Sequence, residues 1–205
     1  MIHLGNDIID FSDDDSNLKT YHTKFIKRVL SNEEIKNHFY KCINKNEINI
    51  KKKDEKIFWL IWSLKEAAYK VMKQKNKVIF FSPREFIVNK NLNKVTYKKN
   101  ILYCHTIINK NYIYSLCSNY ELKESYENKI IINSIIKIKQ NEKASFEIRK
   151  KMMQNLNIHY KNMDNLIKIQ FDKNIPFYEF EGKKFSLSIT HHGRYAAAAA
   201  CVDKT

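Results

Sequence analysis

The clearest pattern of hydrophobic and polar positions is the strict alternation Phe185-Ser186-Leu187-Ser188-Ile189-Thr190, which predicts a β-strand with one buried face. A short apolar segment with Asp7 in its middle, Leu4 to Ile9, predicts another strand near the start of the chain. Further segments rich in β-branched and aromatic residues also predict strands. They are Phe86 to Val88, Lys94 to Tyr97, Ile101 to Asn109, Tyr112 to Ser118, Ile130 to Ile138, Ile167 to Phe171 and Phe177 to Phe180.

Three segments predict helices. Ser31-Asn32-Glu33-Glu34 is a capping box, in which the serine and the last glutamate satisfy each other's backbone amides at a helix start. Asp54 predicts the cap of a long helix that runs to about Gln74. A third helix is expected near Ala144–Leu156.

A run of five alanines lies within Tyr195–Val202 and is ambiguous. Alanine favours a helix by intrinsic propensity. The run also fits a tightly packed strand that follows a turn at His191-His192-Gly193-Arg194, and the pattern leaves both structures open.

A polar, charged stretch over residues 119–128 marks an approximate boundary inside the chain. The elements on either side predict two α+β halves, residues 1–118 and 119–205.

The formal net charge of +15 raises the question of nucleic-acid binding. The basic residues are spread along the chain, however, with 22 Lys and Arg against 12 Asp and Glu in residues 1–118, and 15 against 10 in residues 119–205. A groove that binds nucleic acid concentrates its charge more than this, so we expect no nucleic-acid partner. A basic surface also suits an acidic protein partner or a phosphate-rich cofactor.

Other features bear on the cellular compartment. No run of 18 apolar residues exists, and the first residues lack the basic and apolar regions of a signal peptide, so we expect a cytoplasmic protein that does not bind membranes. The four cysteines, Cys42, Cys104, Cys117 and Cys201, form no CxxC pair. We interpret them as reduced thiols and expect no zinc site.

Acidic residues interrupt two apolar elements. Glu66 lies in a helix that is apolar nearly all round, and it shares a face with Trp62 and Lys70 at a spacing of four residues. An ionised carboxylate in such surroundings needs a cation or a metal. Asp7 interrupts an apolar strand in the same way. Each acid also has a purely structural explanation. For Glu66 it is an ordinary Glu–Lys pair on an exposed stripe of the helix, and for Asp7 it is a strand-end aspartate or a cap. Together the two acids are hard oxygen ligands suited to Mg²⁺.

Four segments together resemble the 4′-phosphopantetheinyl transferases. Gly5-Asn6-Asp7-Ile8-Ile9-Asp10 resembles the GxDhhE/D opening of the holo-acyl-carrier-protein-synthase type, and Trp62 to Lys70 resembles the WxxKEAxxK motif of the family. Arg28 to Glu34 resembles the segment between these motifs. Ser186 to Ala196 resembles the closing segment, in which a serine or threonine precedes a histidine.

The resemblance implies an enzyme that transfers the phosphopantetheine arm of coenzyme A to a serine of an apo acyl or peptidyl carrier protein, releasing 3′,5′-adenosine bisphosphate. It implies that Asp7 and Glu66 hold Mg²⁺ or Mn²⁺ and that Glu66 and Lys70 are catalytic. The same resemblance suggests further contacts with coenzyme A, some of them weakly. The residues concerned are Lys65, Lys70, Thr190 and His191, with Arg149 and Lys173 as weaker candidates and Trp62 as a residue that shapes the site.

The chain departs from the larger type of the family at one metal position. That type carries a further metal carboxylate two residues after the first aspartate, where this chain has Ile9. The nearby acid of this chain is Asp10, one residue after Ile9. Because side chains alternate between the two faces of a strand, Asp10 points to the face opposite to Ile9. We therefore expect two protein carboxylates on the metal, as in the smaller type.

The length of the chain departs from the smaller, trimeric type. Glu66 and His191 lie 125 residues apart, and the extra length is about what a second half requires. We expect two similar halves related by a pseudo-twofold axis, with coenzyme A between them, in a monomer. The alternatives are a trimer that shares its sites between chains, a nucleic-acid-binding protein, and a family member that only binds carrier proteins.

Overall fold

The computed structural model describes residues 1–16, 23–39, 43–44, 47–48, 52–121, 129–140, 142–161 and 167–204. Cys42 and part of the expected boundary, residues 122–128, lie outside them. The first half of the chain begins with a strand, continues with helices and a short hairpin, and ends with four strands. Its elements are β1 (Leu4–Asp10), α1 (Thr23–Val29), α2 (Asn32–His38), β2 (Ile43–Asn44), β3 (Glu47–Ile48), α3 (Lys52–Lys75), β4 (Phe86–Val88), β5 (Lys94–Tyr97), β6 (Asn100–Ile108) and β7 (Tyr112–Ser118).

The second half follows the same order with fewer helices. Its elements are β8 (Lys129–Lys137), α4 (Ala144–His159), β9 (Ile169–Asp172), β10 (Ile175–Phe180), β11 (Lys183–His192) and β12 (Tyr195–Asp203).

Each half folds into a five-stranded antiparallel sheet, and the two sheets have the same topology. The strand orders are β1-β7-β6-β5-β4 and β8-β12-β11-β10-β9. In both, the last strand pairs with the first, and a long helix, α3 or α4, packs on the sheet. The prediction of an α+β protein built from two similar halves is therefore confirmed, and the shared topology is that expected for a pseudo-twofold relationship.

The alanine run forms a strand and not a helix, because β12 is the second strand of its sheet and is covered on both faces. It pairs with β8 along one edge and β11 along the other. Ala196, Ala198 and Ala200 face the core beneath α4, whereas Ala197 and Ala199 face the first half. Small side chains on both faces allow both neighbouring layers to approach closely. Packing therefore overrides the helical propensity of alanine.

Two helix starts test the predicted caps. The capping box of α2 is confirmed, because the Ser31 hydroxyl accepts from the backbone N–H of Glu34 and the Glu34 carboxylate accepts from the N–H of Ser31. The long helix α3 begins at Lys52, so Asp54 lies in its first turn and is not the cap residue as expected. Acidic side chains in the first turn still interact favourably with the helix dipole. Among the described residues, no helix has the length and apolar character needed to cross a membrane.

The two halves meet along the free edge of β1, where side chains of β11 take the place of a paired strand. The hydroxyls of Ser186 and Ser188 accept from the backbone N–H groups of Leu4 and Asn6, at 2.8 and 2.9 Å. Further along, Nδ1 of His192 accepts from the N–H of Asp10 at 3.1 Å. Buried strand-edge amides require such partners, so β1 and β11 are held in a fixed parallel register.

Gln74 of α3 connects the helix to both halves. Its side-chain amide nitrogen donates to the carbonyl oxygens of Leu4 and Leu187, at 2.7 and 2.9 Å, and its amide oxygen accepts from the hydroxyl of Ser186 at 2.7 Å. The C-terminal part of α3 is thereby fixed at the joint, beside the residues that the sequence motifs single out.

Candidate active site

Asp7, Glu66 and Lys70 come together where β1 packs on α3. Asp7 lies on the face of β1 that is turned towards the helix and is almost fully buried. Lys70 donates to the carbonyl oxygen of Asn6 at 2.8 Å and to Oδ1 of Asp7 at 3.3 Å. An ammonium group has three donors, so one N–H of Lys70 has no acceptor among the described residues and is left for a ligand.

Glu66 carries a carboxyl group that is hard to ionise in the absence of a cation. Burial, and next the nearby Asp7 carboxylate, raise the pKa of Glu66 to about 7, although Lys70 opposes the shift. A carboxyl group whose charge is disfavoured by burial and by a neighbouring acid is one that a divalent cation stabilises.

The Asp7 carboxylate fits a metal ligand in a further respect. Its Oδ2 atom is buried and accepts no hydrogen bond from the described residues. An acceptor of this kind is costly to leave without a partner. Within the described ranges no cluster of three or more His, Cys, Asp or Glu residues could hold a metal. Magnesium is commonly held by one or two protein carboxylates with phosphate and water oxygens, so the donor set of Asp7 and Glu66 fits this ion.

The second half reaches the acid pair through Thr190. The Thr190 hydroxyl, buried on β11, donates to Oδ1 of Asp7 at 3.1 Å. Two residues 183 positions apart in sequence are thus in direct contact within one chain. Because Oδ1 is occupied by Thr190 and Lys70, the carboxylate is oriented with Oδ2 free of protein partners among the described residues.

A cleft of about 190 Å³ opens beside Lys70, between α3 and the strands β10 and β11. The pairing of β10 with β11 ends at Phe177 and Ser186, and the cleft lies just beyond that point. One wall is basic and the other is largely apolar. The lining residues are Tyr69, Lys70, Lys73 and Gln74 from α3, and Asn174, Ile175, Pro176, Leu187, Ser188 and Ile189 from the second half.

Lys65 does not lie at this cleft, although the motif suggested a contact with coenzyme A. Its side chain is fully buried and donates to Glu34 at 2.7 Å and to the carbonyl oxygens of Val29 and Pro83 at 2.8 and 2.9 Å. All three ammonium donors are used. Burial lowers the pKa of Lys65, and the Glu34 carboxylate opposes this shift. The geometry is that of a structural tie between α1, α2 and α3.

The other predicted contact residues differ in position. His191 is exposed and lies on the face of β11 opposite to Thr190, the face that also carries Ile189 of the cleft. Lys173 is exposed at the turn between β9 and β10, next to Asn174 of the cleft. Arg149 donates to the carbonyl oxygen of Ser145 and stacks over Phe171, so the structure does not bring it to the cleft.

Trp62 also lies away from the cleft lining. Its ring packs against Phe25 and Phe81 at centroid distances of 5.6 and 5.7 Å, in the aromatic part of the first core. It shares a helix face with Glu66, as the spacing predicted, and supports that helix through packing.

Asp10 has a structural environment different from that of Asp7. It accepts from Nε and Nη2 of Arg194 at 2.8 and 2.9 Å, and from the backbone N–H of Ser12 and Arg194. Burial alone raises the pKa of Asp10, but the Arg194 guanidinium and the backbone donors outweigh burial and hold it well below its ordinary value. Asp10 therefore anchors the β11–β12 turn to the end of β1.

The second half has a neutral residue at the place that corresponds to Asp7. Asp7 pairs with Ser115, the fourth residue of β7, and Ser134 pairs with Ala198, the fourth residue of β12. Ser134 therefore occupies the equivalent place in β8, and its hydroxyl accepts from the side-chain amide of Asn155 on α4 at 2.8 Å. This position has no charge with which to attract a cation.

Several residues of the site were missed by reasoning from sequence. Lys73 follows Lys70 by three positions, and this helical spacing was sufficient to place both on one face. Ser186 and Ser188 were noted only as part of a motif, yet both bond to β1. Gln74 gave no signal in the sequence, because an amide at the end of a helix has no distinctive spacing.

The fold and the site define an enzyme built from two α+β halves with an acid pair and a basic cleft at their joint. The family model of the 4′-phosphopantetheinyl transferase superfamily matches residues 3–117, which is more than half of the chain. The chain belongs to this superfamily and is a transferase of the phosphopantetheinyl type, and the family uses coenzyme A as a substrate and acts on carrier proteins. No match was found among curated proteins or among solved structures.

Proposed function

We propose that this protein transfers the 4′-phosphopantetheine group of coenzyme A to a serine of an apo acyl or peptidyl carrier protein, with Mg²⁺ or Mn²⁺, and releases 3′,5′-adenosine bisphosphate. The observation that carries the proposal is the contact between Thr190 and Asp7. It joins the coenzyme motif of the second half to the acid pair of the first, beside Lys70, which donates to Asp7 and also lines the cleft.

The acid pair is the proposed metal site. Asp7, through its free Oδ2, and Glu66 would hold the divalent ion, and Thr190 and Lys70 would fix the orientation of Asp7. When bound, the ion neutralises negative charge on the pyrophosphate of coenzyme A.

The basic wall of the cleft is the proposed phosphate site. Lys70 keeps one N–H for a phosphate oxygen, and Lys73 lies one turn further along the same wall. Fixed ammonium donors at this position stabilise charge that builds up on the phosphoryl group. Ile175, Pro176 and Ile189 form the apolar side of the cleft, which limits the access of water to the phosphates.

In the transfer itself, the serine oxygen forms a bond to the β-phosphorus of coenzyme A, and the bond from that phosphorus to the bridging oxygen of the adenosine bisphosphate breaks. The proton of the serine hydroxyl passes to a base. Glu66 is our candidate for this base, directly or through a water molecule, because it is a carboxylate that lies beside Asp7 and Lys70 in the proposed site. The leaving group departs as a phosphate anion next to Lys70 and Lys73.

The test is incubation of the purified protein with coenzyme A, Mg²⁺ and a panel of apo carrier proteins, followed by intact-mass measurement of each carrier. We expect a mass gain of one phosphopantetheine group on at least one carrier, and no gain when a chelator replaces Mg²⁺. The variants Asp7→Ala and Glu66→Ala should abolish the gain, whereas the matched control Glu85→Ala, at an exposed position, should keep it. Folded Asp7→Ala or Glu66→Ala protein that transfers at the wild-type rate would contradict the proposal.

A further inference from the structure

The rim segment, residues 76–81, runs back along α3 from its C-terminal end and contacts Tyr69, which lines the cleft. Tyr69, which lines the cleft, donates through its hydroxyl to the carbonyl oxygen of Ile79 at 3.4 Å and packs against the ring of Phe81 at 5.1 Å. At its start, Lys77 forms an ion pair with Asp172 across the joint. The segment is therefore fixed at both ends beside the cleft opening.

This segment exposes two large apolar side chains to solvent. Phe80 is 85% exposed and Val78 is 74% exposed, while Ile79 and Phe81 between and beside them pack on the first core. Because Ile79 and Phe81 pack on the core, Val78 and Phe80 are held with their side chains directed outward. Adjacent exposed apolar groups at the edge of a functional cleft commonly mark a surface that a partner covers.

The sequence around these side chains carries charge of one sign, although Asp172 of the second half pairs with Lys77. Residues 67–84 contain five basic residues and no acidic residue. Lys75 and Lys77 lie within three positions of Val78, and Lys73 continues the basic surface into the cleft. A basic surface with two apolar contacts at its centre complements a partner that is acidic with an apolar patch.

We infer that Val78 and Phe80, with Lys75 and Lys77, form the docking surface for the carrier protein, which binds through an acidic surface with apolar residues next to its target serine. This inference rests on the proposed function, because a macromolecular substrate must bring its serine to the opening of the cleft. The rim segment is what such a partner meets there. The apolar pair supplies binding energy, and the lysines orient the partner and speed association.

The first measurement is steady-state kinetics of the double variant Val78→Ser/Phe80→Ser. We expect KM for the carrier protein to rise by roughly 10- to 100-fold, with KM for coenzyme A and kcat unchanged. Both side chains are exposed, so the variant should fold. The matched control is Ile158→Ser on α4, which is 75% exposed and does not line the cleft. It should leave all three constants unchanged. An unchanged KM for the carrier in an active double variant would overturn the docking surface and leave the proposed transfer intact.

The second measurement is direct binding of a carrier protein whose target serine is replaced by alanine, which needs no chemical step. Wild-type protein should bind it, the double variant should bind roughly 10-fold or more weakly, and Lys75→Glu should weaken binding most at low salt. If wild-type protein modifies no carrier but binds one through this surface, the proposed transfer fails and the docking surface stands. The docking proposal is wrong if wild-type protein binds no carrier. It is also wrong if the double variant binds the carrier as tightly as wild-type protein does and has lost only binding to anionic phospholipid vesicles.

Discussion

The α-carbon of Gly5 lies so close to α3 that a Cβ atom there would stand 1.9 Å from the carbonyl oxygen of Ala67 and 2.8 Å from the backbone nitrogen of Val71. Any side chain at this position must push the strand away from the helix. Ala67 follows Glu66 directly, and Gly5 lies two residues before Asp7, so this close approach sets the separation of the two acids.

The first prediction is that Gly5→Ala destabilises the protein and weakens the acid pair together. The free energy of unfolding should fall by about 3 kcal/mol, because the added methyl group meets backbone atoms and not a movable side chain. Urea denaturation measures this. Gly182→Ala has open space around it but a positive φ of 72°, so it should show the backbone cost alone, about 1–2 kcal/mol, without a steric clash. A Gly5→Ala protein with an unchanged unfolding midpoint would show that the helix can shift freely.

The second prediction concerns pH. The carboxyl of Glu66 keeps its proton to about pH 7 in the folded metal-free protein, whereas in the unfolded chain it loses it near the ordinary value. A raised carboxyl pKa means that ionisation destabilises the fold, progressively between these two pH values and fully above the higher one. Glu66→Gln should therefore raise the free energy of unfolding at pH 8 by about 1–3 kcal/mol and change little at pH 4.

Thermal or urea unfolding of the two proteins with a chelator present measures this effect. With Mg²⁺ and coenzyme A added, the order should reverse, because only the wild-type carboxylate binds the ion. Equal stability of the two proteins at pH 8 with the chelator present would mean that ionisation of Glu66 does not destabilise the fold.

The third prediction concerns the hydroxyl of Thr190. Thr190→Val removes the donor to Asp7 with little change of shape, and kcat/KM for coenzyme A should fall by about 10- to 100-fold, the usual effect of losing a group that orients a metal ligand. Thr190→Ser keeps the hydroxyl and should retain most activity. Equal activity of the valine and serine variants would argue that Asp7 needs no orientation from the second half.

The fourth prediction is that Lys65 is a structural residue. Lys65→Met leaves the fully buried Glu34 carboxylate without its cation, and the free energy of unfolding should fall by about 3–5 kcal/mol. The double variant Lys65→Met/Glu34→Gln should recover part of this loss. The control Lys75→Met replaces an exposed lysine and should change the free energy of unfolding little. A folded, stable Lys65→Met protein with a raised KM for coenzyme A would instead assign Lys65 to the substrate.

The fifth prediction is that the active species is a monomer, because Thr190 and Asp7 of the same chain are in contact. Sedimentation should give the 24.6 kDa mass of one chain. A mixture of Glu66→Ala and His191→Ala proteins should show no more transfer activity than the more active of the two proteins shows alone. Activity restored by mixing would mean that the site is shared between chains.

The sequence allowed most strands to be predicted, and it placed the motif residues that meet at the joint. Asp7 and Glu66 could be singled out because each interrupts an apolar element, and such interruptions are visible in one dimension. The sequence could not decide whether Tyr195–Asp203 forms a strand or a helix. Its structure depends on two neighbouring strands and two covering layers, which no local pattern shows.

The directions in which adjacent side chains point were harder to predict from the sequence than the strands were. Lys65 and Glu66 are neighbours, yet one side chain enters the core beside Glu34 and the other faces Asp7. A helix turns by 100° per residue, so a motif that names both residues does not say which of them reaches the ligand. His191 and His192 divide in the same way between the two faces of β11, and only His192 bonds to β1.

The neutral Ser134 at the place that corresponds to Asp7 has a consequence for how this chain can change. In an assembly of identical subunits, each substitution appears in every copy of the site and is tested in every role at once. Here the two halves are encoded separately, so the half that carries Ser134 can alter its share of the cleft without altering the acids opposite. The second half can therefore change to fit a different molecule beside it while Asp7 and Glu66 stay as they are.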